Sequence, residues 1–233
     1  MTGAGKAVLA ELGVTASPVD DGCVALRCAD AAGPAAGRAA RFGVEWLRMA
    51  FAAFGLRARL EGDALVVAED GGAYAHVVQT ALRPAAVLFD LDGVLADISA
   101  RRRIAAPEDV AAIAASCRVG VVTTCPRRLA DSVLERHSFA DHVQVVVGSD
   151  DGPCKPDPFP VRLAMQHLDA KTAWMLGDNP SDVVAARGGG ALPLAVCPRG
   201  RVGGEQHANR LRSAGALRLL DGVAELRELL AKP

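Results

Sequence analysis

From residue 85 onward, short apolar runs that suit buried strands alternate with segments that suit helices. The predicted strands lie near residues 85–90, 118–123, 143–147, 173–177 and 192–196. The predicted helices lie near residues 107–116, 126–137, 158–168, 180–188 and 222–231. This alternation indicates an α/β fold with a Rossmann-like, doubly wound parallel sheet.

Two carboxylates follow the first of these strands. Asp90 and Asp92 lie two residues apart, and Gly93 after them allows a sharp turn. Like charges this close together are costly unless something neutralises them, and a divalent cation bound by oxygen ligands is one solution. The alternative is an ordinary strand-to-loop transition with two solvated aspartates.

Polar residues also follow three later strands. Thr123 and Thr124 end the second strand, Lys155 lies between two prolines after the third, and the fourth runs into Gly177-Asp178-Asn179-Pro180-Ser181-Asp182. Ligands of open parallel sheets bind outside the carboxyl ends of the strands, so these residues are expected to meet there. Lys155 is one of only four lysines in a chain whose other basic residues are arginines, which argues against ordinary surface charge.

Taken in order, these segments resemble the four motifs of the haloacid dehalogenase-like (HAD) superfamily. Those motifs are Asp-x-Asp, Thr or Ser, Lys, and an acidic Gly-Asp-x-x-x-Asp, and this chain has all four over roughly residues 84–233. One motif alone would be weak, whereas the ordered set is specific. Members that cleave carbon–halogen bonds lack the second aspartate, so Asp92 favours phosphate chemistry.

The resemblance implies a role for each catalytic residue. Asp90 is expected to attack phosphorus and form an aspartyl-phosphate. Asp92 is expected to protonate the leaving oxygen and then deprotonate the hydrolytic water. Thr123 is expected to hydrogen-bond a phosphoryl oxygen, while Lys155 neutralises phosphate charge and holds the nucleophile.

The resemblance also implies Mg²⁺ as cofactor and a set of groups around the phosphate. The expected metal-site residues are Asp90, Asp92 through its backbone carbonyl, Asp178, and Asp182 as outer support. The expected phosphate-binding residues are Thr123, Thr124, Lys155 and Gly93. Asp182 also suits the acidic first turn of a helix, and a purely structural role is the alternative for it.

The function predicted from these motifs is a Mg²⁺-dependent phosphomonoester hydrolase acting on a phosphorylated small molecule. One alternative is a non-catalytic regulatory domain that binds only metal and phosphorylated ligand. A second alternative is a phosphotransferase of the phosphomutase type, which would need a cap to shield the aspartyl-phosphate from water.

The chain is expected to lack an inserted cap. Family members usually carry a cap after the first or second motif, but the intervals from Asp90 to Thr123 and from Thr123 to Lys155 are too short for one. Residues 84–233 are therefore predicted to form a capless catalytic domain. Residues 1–82 are predicted to form a small α/β accessory domain, with a boundary at Arg83-Pro84 because the residue before proline resists helix.

The accessory domain is predicted to have the order βαββα. Its elements are a strand at 24–28, a helix at 37–54, strands at 56–60 and 64–69, and a helix at 73–82. This order faintly resembles the small domain of fold-type I aminotransferases, but the lysine domain that binds their cofactor is missing, which excludes a transaminase. Packing support, substrate cover or homodimerisation is expected instead.

Composition excludes several partners. With 26 basic and 27 acidic residues, the formal charge of −1 gives no indication of nucleic acid or of an acidic membrane surface. No transmembrane or signal segment is recognisable, so a cytoplasmic location is expected. The six cysteines lack metal-ligand spacing and are expected to be free thiols.

Overall fold

The computed structural model describes residues 3–19, 22–29, 38–68, 73–198, 200 and 203–231. The chain divides into two compact units, Met1–Pro84 and Ala85–Ala231. None of the described helices combines the length and the apolar character that a bilayer crossing requires.

The first unit is built on an antiparallel sheet of four strands in the order β1-β2-β4-β3. Its elements are α1 Gly3–Glu11, β1 Val14–Val19, β2 Cys23–Cys28, α2 Arg38–Ala53, β3 Ala58–Glu61, β4 Ala64–Ala68 and α3 Ala73–Leu82. The predicted strands and helices are present, and α1 and β1 precede them. The predicted end residues Gly37 and Glu69 lie outside the described residues.

Helix α2 buries the apolar stripe that its sequence predicts. Trp46, Leu47 and Phe51 are buried, and the Trp46 indole N–H donates to the carbonyl of Ala81 at 2.9 Å. The helix is not continuous, because Gly43 has a φ of 73° that interrupts it. A helical period read from side chains does not register such a break, because glycine contributes no side chain to the pattern.

The second unit is built on a sheet of six parallel strands in the order β12-β11-β10-β5-β8-β9. Its strands are β5 Ala86–Phe89, β6 Ala96–Asp97, β7 Arg102–Arg103, β8 Arg118–Val122, β9 Val145–Val147, β10 Ala173–Gly177, β11 Leu192–Val196 and β12 Arg218–Leu220, of which β6 and β7 form a separate hairpin. Its helices are α4 Pro107–Ala114, α5 Arg127–Arg136, α6 Phe159–His167, α7 Pro180–Gly189, α8 Gly204–Ala214 and α9 Val223–Leu230. The predicted parallel α/β sheet is confirmed.

Helix α8 and strand β12 were not predicted. Helix α8 has only two buried residues, Ala208 and Leu211, and β12 is three residues long. Neither element contains enough apolar residues to produce a recognisable hydrophobic period in the sequence. They extend the sheet by one strand beyond β11.

Strand β5 lies inside the sheet, between β10 and β8, and its four residues are fully buried. Leu88 packs in a core cluster with residues such as Val122, Val161 and Met175. The motif that contains Asp90 and Asp92 therefore follows a buried, interior strand of the sheet.

Leu88→Ala should lower the free energy of unfolding of the second unit by about 2–5 kcal/mol, because a cavity opens at the centre of the sheet. Trp174 is in this unit and Trp46 in the other, so a Trp46→Phe background lets Trp174 fluorescence report urea unfolding. Val184→Ala, at a residue 45% exposed on α7, is the control and should cost less than about 0.5 kcal/mol. Equal losses in the two variants would contradict this view of the core.

Candidate active site

Three neighbouring strands end at the same edge of the sheet, and each is followed by a polar residue. Asp90 follows β5, Thr123 follows β8 and Asp178 follows β10, with β5 between the other two strands. Parallel pairing aligns these ends, since Phe89 is opposite both Leu176 and Val121. The topology thus brings together the residues that the sequence predicted to converge.

Lys155 is the central charge of this cluster. Its Nζ atom lies 2.7 Å from Oδ1 of Asp90 and 2.6 Å from Oδ1 of Asp182, and its side chain is only 2% exposed. It also donates to the carbonyl of Val122 at 2.9 Å, at the end of β8. A single buried ammonium therefore connects β5, β8 and α7.

Asp182 is fully engaged by protein donors. While Oδ1 pairs with Lys155, Oδ2 accepts hydrogen bonds from the backbone N–H groups of Asp178 and Asn179, at 3.1 and 2.9 Å. The carboxylate thus caps the N-terminus of α7 from inside the helix. A Cβ at Gly177 would lie 2.2 Å from that of Asp182, so this close approach requires a glycine.

Burial sets the electrostatics of the carboxylates. Burial raises the pKa of Asp90 to about 7, although the neighbouring Lys155 ammonium acts in the opposite direction. Burial, and next the charge of Asp182, also raise the pKa of Asp178. Burial by itself would lower the pKa of Lys155, but the two carboxylates outweigh it and the net shift is upward. Ionisation of Asp90 and Asp178 is therefore unfavourable unless a further positive charge is bound.

The acidic cluster fits a divalent cation. Asp90, Asp178 and Asp182 each place a carboxylate oxygen within 4.8 Å of the others. Gly93 has a φ of 85°, and a Cβ there would lie 2.2 Å from Oδ2 of Asp178, so only glycine lets the backbone come this close to the carboxylate. Hard oxygen donors with an uncompensated negative charge are the set that Mg²⁺ prefers.

Asp92 is exposed, unlike Asp90, and its carboxylate is tied to the next loop. Its Oδ1 accepts a hydrogen bond from the backbone N–H of Ile98 at 2.8 Å. The Asp90 carboxylate is held by Lys155 and by the N–H of Leu91, which donates to its Oδ1 at 2.7 Å. The two aspartates of the first motif thus lie in different environments, which suits different chemical roles.

Thr123 and Thr124 also differ in their exposure to solvent. Thr123 is buried, its N–H donates to the carbonyl of Val147, and its hydroxyl accepts from the N–H of Cys125 at 3.2 Å. Thr124 is exposed on the loop before α5. The buried hydroxyl at the sheet edge is the better placed of the two for a phosphoryl oxygen.

His207 belongs to the site but was missed by the sequence reasoning. It lies in the first turn of α8, and its Nε2 lies 2.8 Å from the carbonyl oxygen of Asp178. Because a carbonyl can only accept, Nε2 carries the proton and the histidine positions the loop of Asp178. Such a contact to a backbone carbonyl produces no pattern of residue types in the sequence.

Lys155→Met should lower the free energy of unfolding by about 3–5 kcal/mol in metal-free protein, because two buried carboxylates lose their counter-charge. Urea unfolding measures the change. Lys171→Met is the matched control, since Lys171 is exposed, and it should change stability by less than about 0.5 kcal/mol. A Lys155→Met protein as stable as the control would show that the carboxylates are compensated in another way.

A family model and several known proteins match this chain. A model of the haloacid dehalogenase-like hydrolase family matches residues 110–196, a range that includes Thr123, Lys155, Asp178 and Asp182 and begins after Asp92. A phosphoglycolate phosphatase of Rhodospirillum rubrum is 32% identical over 188 residues, which cover 79% of this chain and 70% of that protein. The pyrophosphatase PpaX of Bacillus thuringiensis is 39% identical over 82 residues, but the match spans only 38% of its length.

Solved structures show the same fold. A putative β-phosphoglucomutase from Thermotoga maritima superposes with a TM-score of 0.54 at 18% identity, covering 62% of this chain and 97% of that one. A putative β-phosphoglucomutase from Bacteroides vulgatus gives 0.52 at 19% identity, covering 64% and 89%. The sequence match to the Rhodospirillum protein extends over more than two thirds of both chains. This chain is therefore an enzyme of the haloacid dehalogenase-like hydrolase family, as its four motifs predicted.

Proposed function

We propose that the chain is a Mg²⁺-dependent phosphomonoester hydrolase that acts on a phosphorylated small molecule through an aspartyl-phosphate at Asp90. The observation that carries this proposal is the Asp90 carboxylate, held 2.7 Å from the buried Lys155 ammonium beside Asp178 and Asp182. The name of the Rhodospirillum rubrum relative, a phosphoglycolate phosphatase, supports the reaction class.

The residues that would hold Mg²⁺ are Asp90, Asp178 and the backbone carbonyl of Asp92. Bound there, the ion would offset the repulsion between a carboxylate nucleophile and an anionic phosphate. We assign Asp182 to outer support, because both of its oxygens already accept from protein donors.

In the first half-reaction, a carboxylate oxygen of Asp90 attacks phosphorus. A bond forms between this oxygen and phosphorus, and the bond from phosphorus to the alcohol oxygen breaks. Asp92, in its protonated form, gives its proton to the departing alcohol. Phosphoryl transfer depends mostly on positioning and charge stabilisation, and the contacts of Leu91 N–H and Lys155 with Asp90 Oδ1 supply the positioning.

In the second half-reaction, the Asp92 carboxylate takes a proton from water. The water oxygen bonds to phosphorus, the bond to Asp90 breaks, and inorganic phosphate leaves. Asp92 ends protonated and Asp90 ionised, as at the start. The exposure of Asp92 suits this exchange with water, whereas the burial of Asp90 suits a nucleophile shielded from it.

The remaining predicted residues are assigned to the phosphate. The hydroxyl of Thr123 lies at the sheet edge and would bind a phosphoryl oxygen, while the Lys155 ammonium would neutralise phosphate charge. We place Thr124 and Gly93 at the rim, where the N–H of Gly93 already donates to the carbonyl of Ala96 at 2.9 Å. His207 is added as a positioning residue, because it binds the carbonyl of Asp178.

All of these residues belong to the second unit, so we assign the chemistry to residues 84–233 and an accessory role to residues 1–82. The interval from Asp90 to Thr123 contains only the β6–β7 hairpin, α4 and β8, and the interval to Lys155 contains α5, a 3₁₀ turn and β9. The short elements of these two intervals support a catalytic unit without an inserted cap. None of the six cysteines, which all lie in the described part of the chain, is in a disulfide, which supports a reducing, cytoplasmic location. Homodimerisation through the accessory part stays a prediction.

Asp90→Asn should reduce kcat/KM for an aryl phosphate by roughly 10⁴-fold or more, because the covalent nucleophile is lost. Asp92→Asn should also be severely impaired, and it should accumulate phosphoenzyme because the hydrolytic base is missing. Steady-state kinetics and intact-protein mass spectrometry measure the two effects.

Asp141→Asn, at an exposed carboxylate, is the control for these variants and should retain wild-type turnover. Near-native activity in Asp90→Asn would refute the aspartyl-phosphate. Transfer of the phosphoryl group to a second substrate hydroxyl, in preference to water, would indicate a phosphotransferase instead. A panel of phosphorylated metabolites that includes 2-phosphoglycolate would define the substrate class.

Millimolar Mg²⁺ should raise the thermal melting midpoint of the wild-type protein, because an ion that binds only the folded state stabilises it by mass action. Asp178→Asn should abolish most of this shift, since it removes a carboxylate of the cluster. Asp169→Asn is the matched control, because the Asp169 carboxylate is 96% exposed and outside the cluster. Equal Mg²⁺ shifts in the two variants would place the ion elsewhere.

A further inference from the structure

A cavity of about 320 Å³ lies between the turn of the β6–β7 hairpin and helix α5. Its volume is at the lower end of the range for small-molecule sites. Its lining combines three apolar side chains with four polar or basic ones. The apolar residues are Ile98, Leu129 and Val133, and the others are Arg101, Ser132, Arg136 and His137.

Ile98 connects the cavity to the first motif. Ile98 lines it, and the backbone N–H of Ile98 donates to the Asp92 carboxylate at 2.8 Å. Under the proposed function, Asp92 protonates the departing alcohol, so the carbon atoms of that alcohol would meet Ile98 first. Leu129 faces the cavity from the first turn of α5, immediately after the Thr123–Thr124 loop.

The far part of the cavity is basic. Arg136 is seven residues beyond Leu129 on α5, which corresponds to roughly 10 Å along the helix. No lining side chain is a carboxylate. Within the described part of the chain, neither Arg101 nor Arg136 pairs with an acidic side chain, whereas Arg127 on the same helix lies 3.6 Å from Asp151. The guanidinium groups of the cavity are thus available to an anion.

The hairpin wall of the cavity is well ordered by its own hydrogen bonds. Oδ1 of Asp97 accepts from the hydroxyl of Ser99 at 2.8 Å and from the N–H of Ala100 at 2.9 Å. These contacts, the backbone hydrogen bond first, lower the pKa of Asp97. Arg101 has a φ of 52°, a left-handed conformation that a non-glycine residue adopts only when its surroundings enforce it. The turn therefore fixes the backbone of Arg101 at the edge of the cavity.

We propose that this cavity binds the leaving group of the substrate and selects phosphomonoesters whose alcohol part is apolar near the phosphate and carries an anionic group at its far end. The inference rests on the proposed function for the identity of the ligand, but the cavity is defined by residues outside the catalytic cluster. Ile98 and Leu129 contact the apolar part, and Arg101 with Arg136 binds the anion. The hairpin and α5 thus take over the substrate selection that a cap would otherwise provide.

A pair of aryl esters tests the selection. The first is phenyl phosphate, and the second is the phosphate ester of 3-(4-hydroxyphenyl)propanoate, which adds a carboxylate at the far end. Wild-type enzyme should prefer the carboxylated ester, and Arg136→Gln or Arg101→Gln should reduce this kcat/KM ratio by about tenfold, the effect of losing one charge-assisted hydrogen bond. Arg128→Gln is the control, since Arg128 is an exposed arginine of α5 outside the cavity, and the ratio should not change. A ratio that is the same in all four proteins would overturn the proposal.

A binding measurement separates this proposal from the proposed function. The free alcohol 3-(4-hydroxyphenyl)propanoate, titrated by calorimetry, should bind wild type and Arg128→Gln equally and Arg136→Gln about tenfold more weakly. Equal affinities in the three proteins would overturn the cavity as a binding site, even for an active phosphatase. Arginine-dependent binding in a wild-type protein that hydrolyses neither ester would support the cavity and contradict the proposed function.

Discussion

The buried ammonium of Lys155 is the charge on which the arrangement of the catalytic edge depends. It lies within 2.7 Å of carboxylate oxygens from two different segments and also donates to the carbonyl at the end of β8. An unpaired charge at this depth would be strongly unfavourable, and so would either carboxylate without it. The ion pairs of Lys155 with Asp90 and Asp182 therefore fix the loop of Lys155 relative to the end of β5 and the start of α7.

Lys155 compensates the carboxylates only in part, because one ammonium group faces three carboxylates. Three carboxylates converge, while the raised pKa values of Asp90 and Asp178 show how unfavourable their ionisation is without a further cation. Asp182 already uses both oxygens to hold Lys155 and the α7 N-terminus. Because both oxygens of Asp182 are occupied, Asp90 and Asp178 are the carboxylates that remain to bind a cation.

Two segments next to this edge, the β6–β7 hairpin and helix α5, also line the cavity. The β6–β7 hairpin is hydrogen-bonded to Asp92 through Ile98 and also forms one wall of the basic cavity. Helix α5 begins after Thr123 and extends the opposite wall away from the site. The hairpin that lines the cavity thus also contacts the carboxylate to which we assign the acid–base role.

The parallel sheet and the convergence of Asp90, Thr123, Lys155 and Asp178 could be predicted from the order of the motifs, because parallel strands present their carboxyl ends at one edge whatever the details of packing. Which atoms meet depends on tertiary packing. The occupied oxygens of Asp182, the contact of His207 with the Asp178 carbonyl and the cavity beside Ile98 all depend on the positions of helices relative to the strand ends. The break of α2 at Gly43 and the presence of α8 were hidden for a related reason. Periodicity reports where side chains are buried, whereas these features depend on backbone groups and on distances between segments far apart in the chain.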